Sequence, residues 1–243
     1  NQTYHIGTGQ SSDSLMWGNA GKNLDILMNF ASKNPNVILE FKTKTGNIDY
    51  FLNHYIPENV IVTWSLNPEI VVRAEENLTA SLDKRLAAAR KVADKGILVG
   101  FHFHPMIYYS GWEIDYPDIA QRLIKSFHPS EVALISFGTL TFTRKVVREI
   151  RKKQIYSRIL QMPLEDAAGK LSYPIDVKIE MFSKLYAEFI CWHRQVFFYL
   201  CMEDKEAWDK SFHFSYNSNM AFEAAMHDSY FSKVDNLSRN PNR

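Results

Sequence analysis

Three β-rich runs carry the same two-sided pattern, and it limits the fold more than any other feature of the chain. Glu40, Lys42 and Lys44 alternate with Leu39, Phe41 and Thr43. Thr63, Ser65 and Asn67 alternate with Val62, Trp64 and Leu66, and His102 and His104 alternate with Phe101 and Phe103. Successive side chains of a strand point to opposite faces, so each run has one polar and one apolar face. A flat parallel sheet covered by helices on both sides needs apolar residues on both. Apolar side chains turned out toward helices and polar ones turned in toward a mouth fit a full or partial (β/α) barrel with its site at the C-terminal strand ends.

Six runs of this kind are expected as strands: Thr3–Gly9, Val37–Lys44, Val60–Asn67, Ile97–His104, Val132–Thr139 and Val196–Met202. Helical spacing fills the gaps. The clearest case is Ser81 to Lys95, with Ser81 as N-cap, Leu82, Leu86, Ala89 and Val92 on one face, and Gly96 just past the end. Parallel strands joined by right-handed crossovers follow. The expected fold is therefore α/β, a partial (β/α)6-type barrel over residues 1–160. Residues 161–243 form a C-terminal α/β extension closing it, and the last ten residues are a frayed tail. As an opening strand, Thr3–Gly9 would be an edge blunted by neither charge nor proline, so a first strand is expected to be missing before it.

At 243 residues and 46% hydrophobic, the chain buries a full core. With 28 Lys+Arg against 27 Asp+Glu it has no global field for a polyanion, so any DNA contact must be local. The candidate patch runs from Arg144 to Arg158, although such a run also suits the solvated face of a helix. No apolar run approaches the roughly 18 residues of a membrane span, so no membrane partner is expected. The two cysteines, Cys191 and Cys201, imply a reducing, cytoplasmic setting and are too few to hold a cubane cluster.

Several strings in order resemble one family. They are Leu39-Glu40-Phe41-Lys42-Thr43-Lys44, Val62-Thr63-Trp64-Ser65-Leu66-Asn67, Glu76-Asn77-Leu78-Thr79, Gly100-Phe101-His102-Phe103-His104-Pro105, Gly111-Trp112-Glu113 and Tyr199-Leu200-Cys201-Met202-Glu203. Each is weak alone, but their collinearity over roughly residues 4 to 210 is specific to the spore photoproduct lyases. That group is a radical S-adenosylmethionine family with a partial barrel, a Cys-x3-Cys-x2-Cys loop holding a four-iron four-sulfur cluster, and repair of a thymine photoproduct in DNA as its founding activity. The resemblance implies S-adenosylmethionine as cofactor and, in the full-length protein, the cluster and an electron donor. The cluster loop is expected upstream of Asn1, where the lacking start methionine, the lacking strand and the cysteine count all point.

The resemblance also implies site residues. Lys44, Ser65 and Asn67 fall where the family binds the methionine and ribose parts of the cofactor, Ser12 where a serine contacts it, and His104 where the backbone passes the adenine. An ammonium suits a carboxylate, and small hydroxyl and amide groups suit ribose and amino groups. Gln10 stands where the repair lyases place the cysteine that returns a hydrogen atom, which an amide cannot do. Either Cys201 supplies that hydrogen atom or the reaction differs. Tyr173 matches a lesion-holding tyrosine, but Ser172 replaces its arginine partner, and Thr141 stands where an arginine is common.

Two further readings stay open. One is a non-catalytic module that retains affinity for the cofactor or for nucleic acid. The other is a metal-dependent hydrolase in which His102 and His104, two imidazoles on one face of a strand, hold an ion.

Overall fold

The computed structural model describes residues 3–9, 12–153, 157–167 and 169–239. In chain order the elements begin β1 (Tyr4–Thr8), α1 (Asn23–Lys33), β2 (Val37–Thr43), α2 (Asp49–Asn53), β3 (Val60–Ser65), α3 (Glu69–Glu75), α4 (Leu82–Asp94), β4 (Leu98–Met106), α5 (Trp112–Ser126) and β5 (Val132–Thr139). They continue with β6 (Thr141–Phe142), α6 (Arg144–Lys152), β7 (Glu165–Ala167), β8 (Lys170–Ser172), α7 (Ile175–Glu188), β9 (Phe197–Leu200), α8 (Lys205–Phe212) and α9 (Asn219–Arg239).

All six expected strands form one parallel sheet in the order β1-β2-β3-β4-β5-β9, and β6-β8-β7 make a small antiparallel sheet beside it. The sixth strand comes from the segment beyond residue 160. The large sheet is curled into a half-barrel. Its curl is visible in the side chains: Glu40 on β2 reaches His102 on β4 at 2.6 Å, across the intervening β3. A flat sheet would hold strands two places apart at roughly 9–10 Å.

The convex face carries Leu39, Phe41, Val62, Trp64, Val99, Phe101, Phe103, Ile135, Phe137 and Phe198. These join buried residues of α1, α4, α5 and α7 in one core. Helix α4 starts as expected, with the Ser81 hydroxyl accepting from Lys84 N, and Gly96 follows it at φ +78°. Leu86 is only half-buried, whereas Arg85 is fully buried.

The concave face is layered. Ile38, Ile61, Leu98, Leu134 and Phe197 form an apolar floor, closed from below by Met226 and Tyr230 of α9. A buried polar layer lies above it, and above that opens the mouth at the C-terminal strand ends. Of the ten residues expected as a tail, 234–239 continue α9, which Lys233 anchors by donating its Nζ to the carbonyls of Pro129 and Val132 at 2.5 and 2.6 Å, and 240–243 lie outside the described residues. Among the described residues no helix is long and apolar enough to cross a membrane.

Candidate functional site

The mouth holds a cavity of about 750 Å³, within the size range of small-molecule sites. Its lining includes Ser12, Asp13, Lys42, Lys44, Ser65, Asn77, Thr79, His104, Gly138, Thr141 and Cys201. Of the residues expected at a site, Ser12, Lys44, Ser65, His104, Thr141 and Cys201 thus meet in one place. Gln10 lies outside the described residues.

Asn67 and Tyr173 stand elsewhere. Asn67 is buried, donating to Glu76 Oε1 at 2.8 Å and accepting from the Tyr116 hydroxyl at 2.7 Å. Tyr173 is buried and its hydroxyl accepts from Tyr108 N at 3.1 Å.

A buried ionic cluster fixes Lys44. Its Nζ donates to Glu76 Oε1 at 2.8 Å, and Glu76 Oε2 takes Arg85 at 2.5 Å. The Arg85 guanidinium also donates to the carbonyls of Ala80 and Ser65, each at 2.8 Å, and to the Thr79 hydroxyl at 2.7 Å. Burial works against ionisation of Glu76, but Lys44 and Arg85 outweigh it and hold the carboxyl below its usual range. Asp13 ties the loop after β1 to the end of β2. One oxygen accepts from Thr43 Oγ1 at 2.7 Å and the other from Lys44 N at 2.6 Å. Sequence reasoning missed Asp13, Glu76 and Arg85 as site-building residues. Glu76 lay within a resembling stretch that ran on to Arg85, but nothing local marked Arg85 as buried.

The second array runs through the polar layer. Glu40 Oε1 lies 2.6 Å from both Thr63 Oγ1 and His102 Nε2, and its other oxygen lies 2.9 Å from His5 Nε2. His102 Nδ1 is 2.5 Å from Ser136 Oγ, Ser136 Oγ is 3.1 Å from His104 Nε2, and His104 Nδ1 is 3.4 Å from Lys42 Nζ. A lysine only donates and a carboxylate only accepts, which fixes the two end bonds, and neutral imidazoles fix the two between them. Lys42 donates to His104, His104 to Ser136, Ser136 to His102, and His102 to Glu40. Neutrality of both imidazoles accords with burial, which lowers the pKa of His102 and, with the charge of Lys42, holds His104 well below the imidazole range. Against burial, His102 and His5 hold Glu40 well below the usual carboxylate range.

The chain uses both nitrogens of His102, which removes it as a metal ligand. Among the described residues there is no group of three or more His, Cys, Asp or Glu placed to hold a metal ion. Cys201 half-buries its thiol at the mouth, where burial pushes the pKa up while Lys42 pulls it down. Gly138 separates it from His104: a Cβ there would lie 3.1 Å from the His104 ring and 3.4 Å from Cys201 Cβ.

Comparison with known proteins places this architecture. The family model described as spore photoproduct lyase matches residues 5–173. Spore photoproduct lyase of Geobacillus sp. (strain Y412MC61) is 31% identical over 109 residues, and that of Bacillus subtilis (strain 168) is 31% identical over 108 residues. Each alignment covers 44% of this chain and 32% of the relative, so the match spans about a third of those proteins. A mutant spore photoproduct lyase with bound AdoMet and dinucleoside spore photoproduct superposes with a TM-score of 0.71 at 22% identity, covering 82% of this chain and 61% of that one. Another, complexed with dinucleoside spore photoproduct, gives 0.71 at 23%, covering 82% and 62%. The fold and the matched residues together show that the chain belongs to the spore photoproduct lyase family.

Proposed function

We propose that the chain forms the cofactor- and substrate-binding half-barrel of a radical S-adenosylmethionine lyase acting on a DNA photoproduct or a related nucleic-acid lesion. One observation carries this reading: four of the five residues expected to hold the cofactor, Ser12, Lys44, Ser65 and His104, line a single cavity at the C-terminal strand ends of the family fold.

The residues suit the cofactor. Lys44, held in place by Glu76, offers an ammonium to the amino-acid carboxylate, and Ser65 and Ser12 offer hydroxyls. The neutral His104 ring beside Pro105 suits a flat base. Bound there, S-adenosylmethionine supplies hydrogen-abstraction chemistry once reduced by one electron. Cys201 is the candidate hydrogen donor to the product, since burial favours its protonated thiol. The exposed Arg144, Lys145, Arg148, Arg151 and Lys152 of α6 offer a local surface for a DNA backbone.

A four-iron four-sulfur cluster does not fit the residues of this chain. Such a cluster takes about four ligands, mostly cysteine. Cys191 is exposed, Cys201 lines the cavity, and the described residues bring no third ligand to either. On this reading the ligands of a cluster and its electron donor lie outside these 243 residues.

Calorimetric titration with S-adenosylmethionine tests the assignment. Lys44→Ala is expected to weaken binding about tenfold or more, the worth of one charge-assisted hydrogen bond. Equal affinity in the two proteins removes the pocket assignment, and absence of binding by the wild type removes the cofactor reading.

A further inference from the structure

Lys42 is the one cavity-lining cation without an acidic partner among the described residues. Lys44, the other lysine of the lining, pairs with Glu76 at 2.8 Å. Lys42 has only His104 Nδ1, at 3.4 Å. The nearest carboxylate on its face, Glu40, is already taken by Thr63, His102 and His5. A half-buried ammonium without a counterion is held at a cost, which an anion entering the cavity would remove.

The geometry keeps that ammonium aimed. His104 can only accept from Lys42, because its other nitrogen donates to Ser136 and the sequence of bonds ends on a fixed carboxylate. One N–H of Lys42 is thereby spent and two remain. Gly138 leaves the wall beside His104 and Cys201 without a side chain, and a Cβ there would crowd both.

We propose that Lys42 forms an oxyanion subsite in the cavity, binding one phosphate or carboxylate group of the ligand, with His104 as its positioning residue. Burial lowers the pKa of Lys42 against the pull of Glu40, as expected of a cation whose counterion arrives with the ligand. Two sources offer such a group: the amino-acid carboxylate of S-adenosylmethionine and the bridging phosphate of a dinucleotide.

Two matched pairs of probes separate them, titrated into wild type, Lys42→Met and Lys42→Arg. S-Adenosylmethionine is set against decarboxylated S-adenosylmethionine, which lacks only the carboxylate, and thymidylyl-thymidine against thymidine, which lacks the phosphate. In one pair, Lys42→Met is expected to weaken the oxyanion-bearing member about tenfold or more and to weaken its counterpart by no more than about twofold, with Lys42→Arg recovering most of the loss. The responding pair names the source. His104→Leu, which removes the acceptor, should reproduce part of the loss, and His104→Gln should restore it; equal behaviour of the two removes the positioning role.

Equal losses for probes with and without the oxyanion, no loss with Lys42→Met, or no binding of either oxyanion-bearing probe by wild type overturns the subsite. If Lys42→Met fails to fold, NMR titration of the wild-type lysine side chains decides. A probe that carries the oxyanion must raise the Lys42 pKa and its counterpart without it must not, and absence of that rise overturns the proposal. Lys42-dependent binding of thymidylyl-thymidine would survive failure of the cofactor reading, and S-adenosylmethionine bound indifferently to Lys42 would leave that reading intact.

Discussion

Arg85→Met should be among the most damaging single substitutions in the chain. The guanidinium is fully buried on α4 and donates to four acceptors: the carbonyls of Ala80 and Ser65, the Thr79 hydroxyl and Glu76. Methionine fills similar volume but leaves those acceptors without their donor. Breaking a buried pair from one side costs about 3–5 kcal/mol. Glu76 keeps Lys44 and Asn67, which argues for the lower half of that range. At about 2–4 °C per kcal/mol for a chain of this size, the melting midpoint should fall by roughly 6–16 °C. Urea unfolding followed by circular dichroism gives the free energy, and Arg85→Lys separates charge from geometry. Lysine keeps the charge but reaches fewer acceptors, so about half the loss should return. A loss below about 1 kcal/mol for Arg85→Met would show that these bonds add nothing net to stability. A lysine variant as unstable as the methionine one would show that charge plays no part.

Glu40→Gln should cost about 2–4 kcal/mol, because a neutral amide replaces a carboxylate that accepts from Thr63 and His102 and pairs with His5. It should also flatten the acid limb of stability. Since the folded-state pKa of Glu40 is depressed, its contribution is present above the usual carboxylate range and is lost as pH falls toward the lowered value. Wild type should therefore lose stability with acid more steeply than Glu40→Gln in denaturant titrations at stepped pH, and parallel limbs would refute the assignment. Gly100→Ala should destabilise by about 1–3 kcal/mol through overpacking, since its Cβ would lie 2.9 Å from both Leu134 Cγ and Thr63 Cγ2. An unchanged urea midpoint would mean that the neighbours move aside freely.

The half-barrel was legible because its strands announce both faces at once. Leu39, Phe41, Val62, Trp64, Phe101 and Phe103 all pack outward, and Glu40, Thr63, His102 and His104 all turn inward. Ser65, Lys44 and His104 were placed at the mouth by that alternation together with family position. What stayed hidden depends on curvature and on loops. His102 pairs with Glu40 rather than with a metal because the curl brings β2 and β4 together, which no spacing along one strand records. Arg85, in the run Asp83-Lys84-Arg85, looks like a solvated helix charge until the loop carrying Glu76 folds over it. In α9 the buried residues Met226, Tyr230 and Lys233 sit at i, i+4 and i+7, but polar neighbours and a buried lysine mask the stripe.

The plug beneath the floor also ties β1 to α9. Thr3 meets His227 and His5 packs edge-on against Tyr230 at 5.6 Å, on the pole opposite the mouth. The turns of α9 beyond His227 add roughly 18 Å, a span that about six extended linker residues would recross. A circular permutant joined there and reopened at the exposed Lys95–Gly96 turn, also on the floor side, would leave every loop around the cavity continuous. The order in which the strands are synthesised could thus be rewritten without touching the residues that face the ligand.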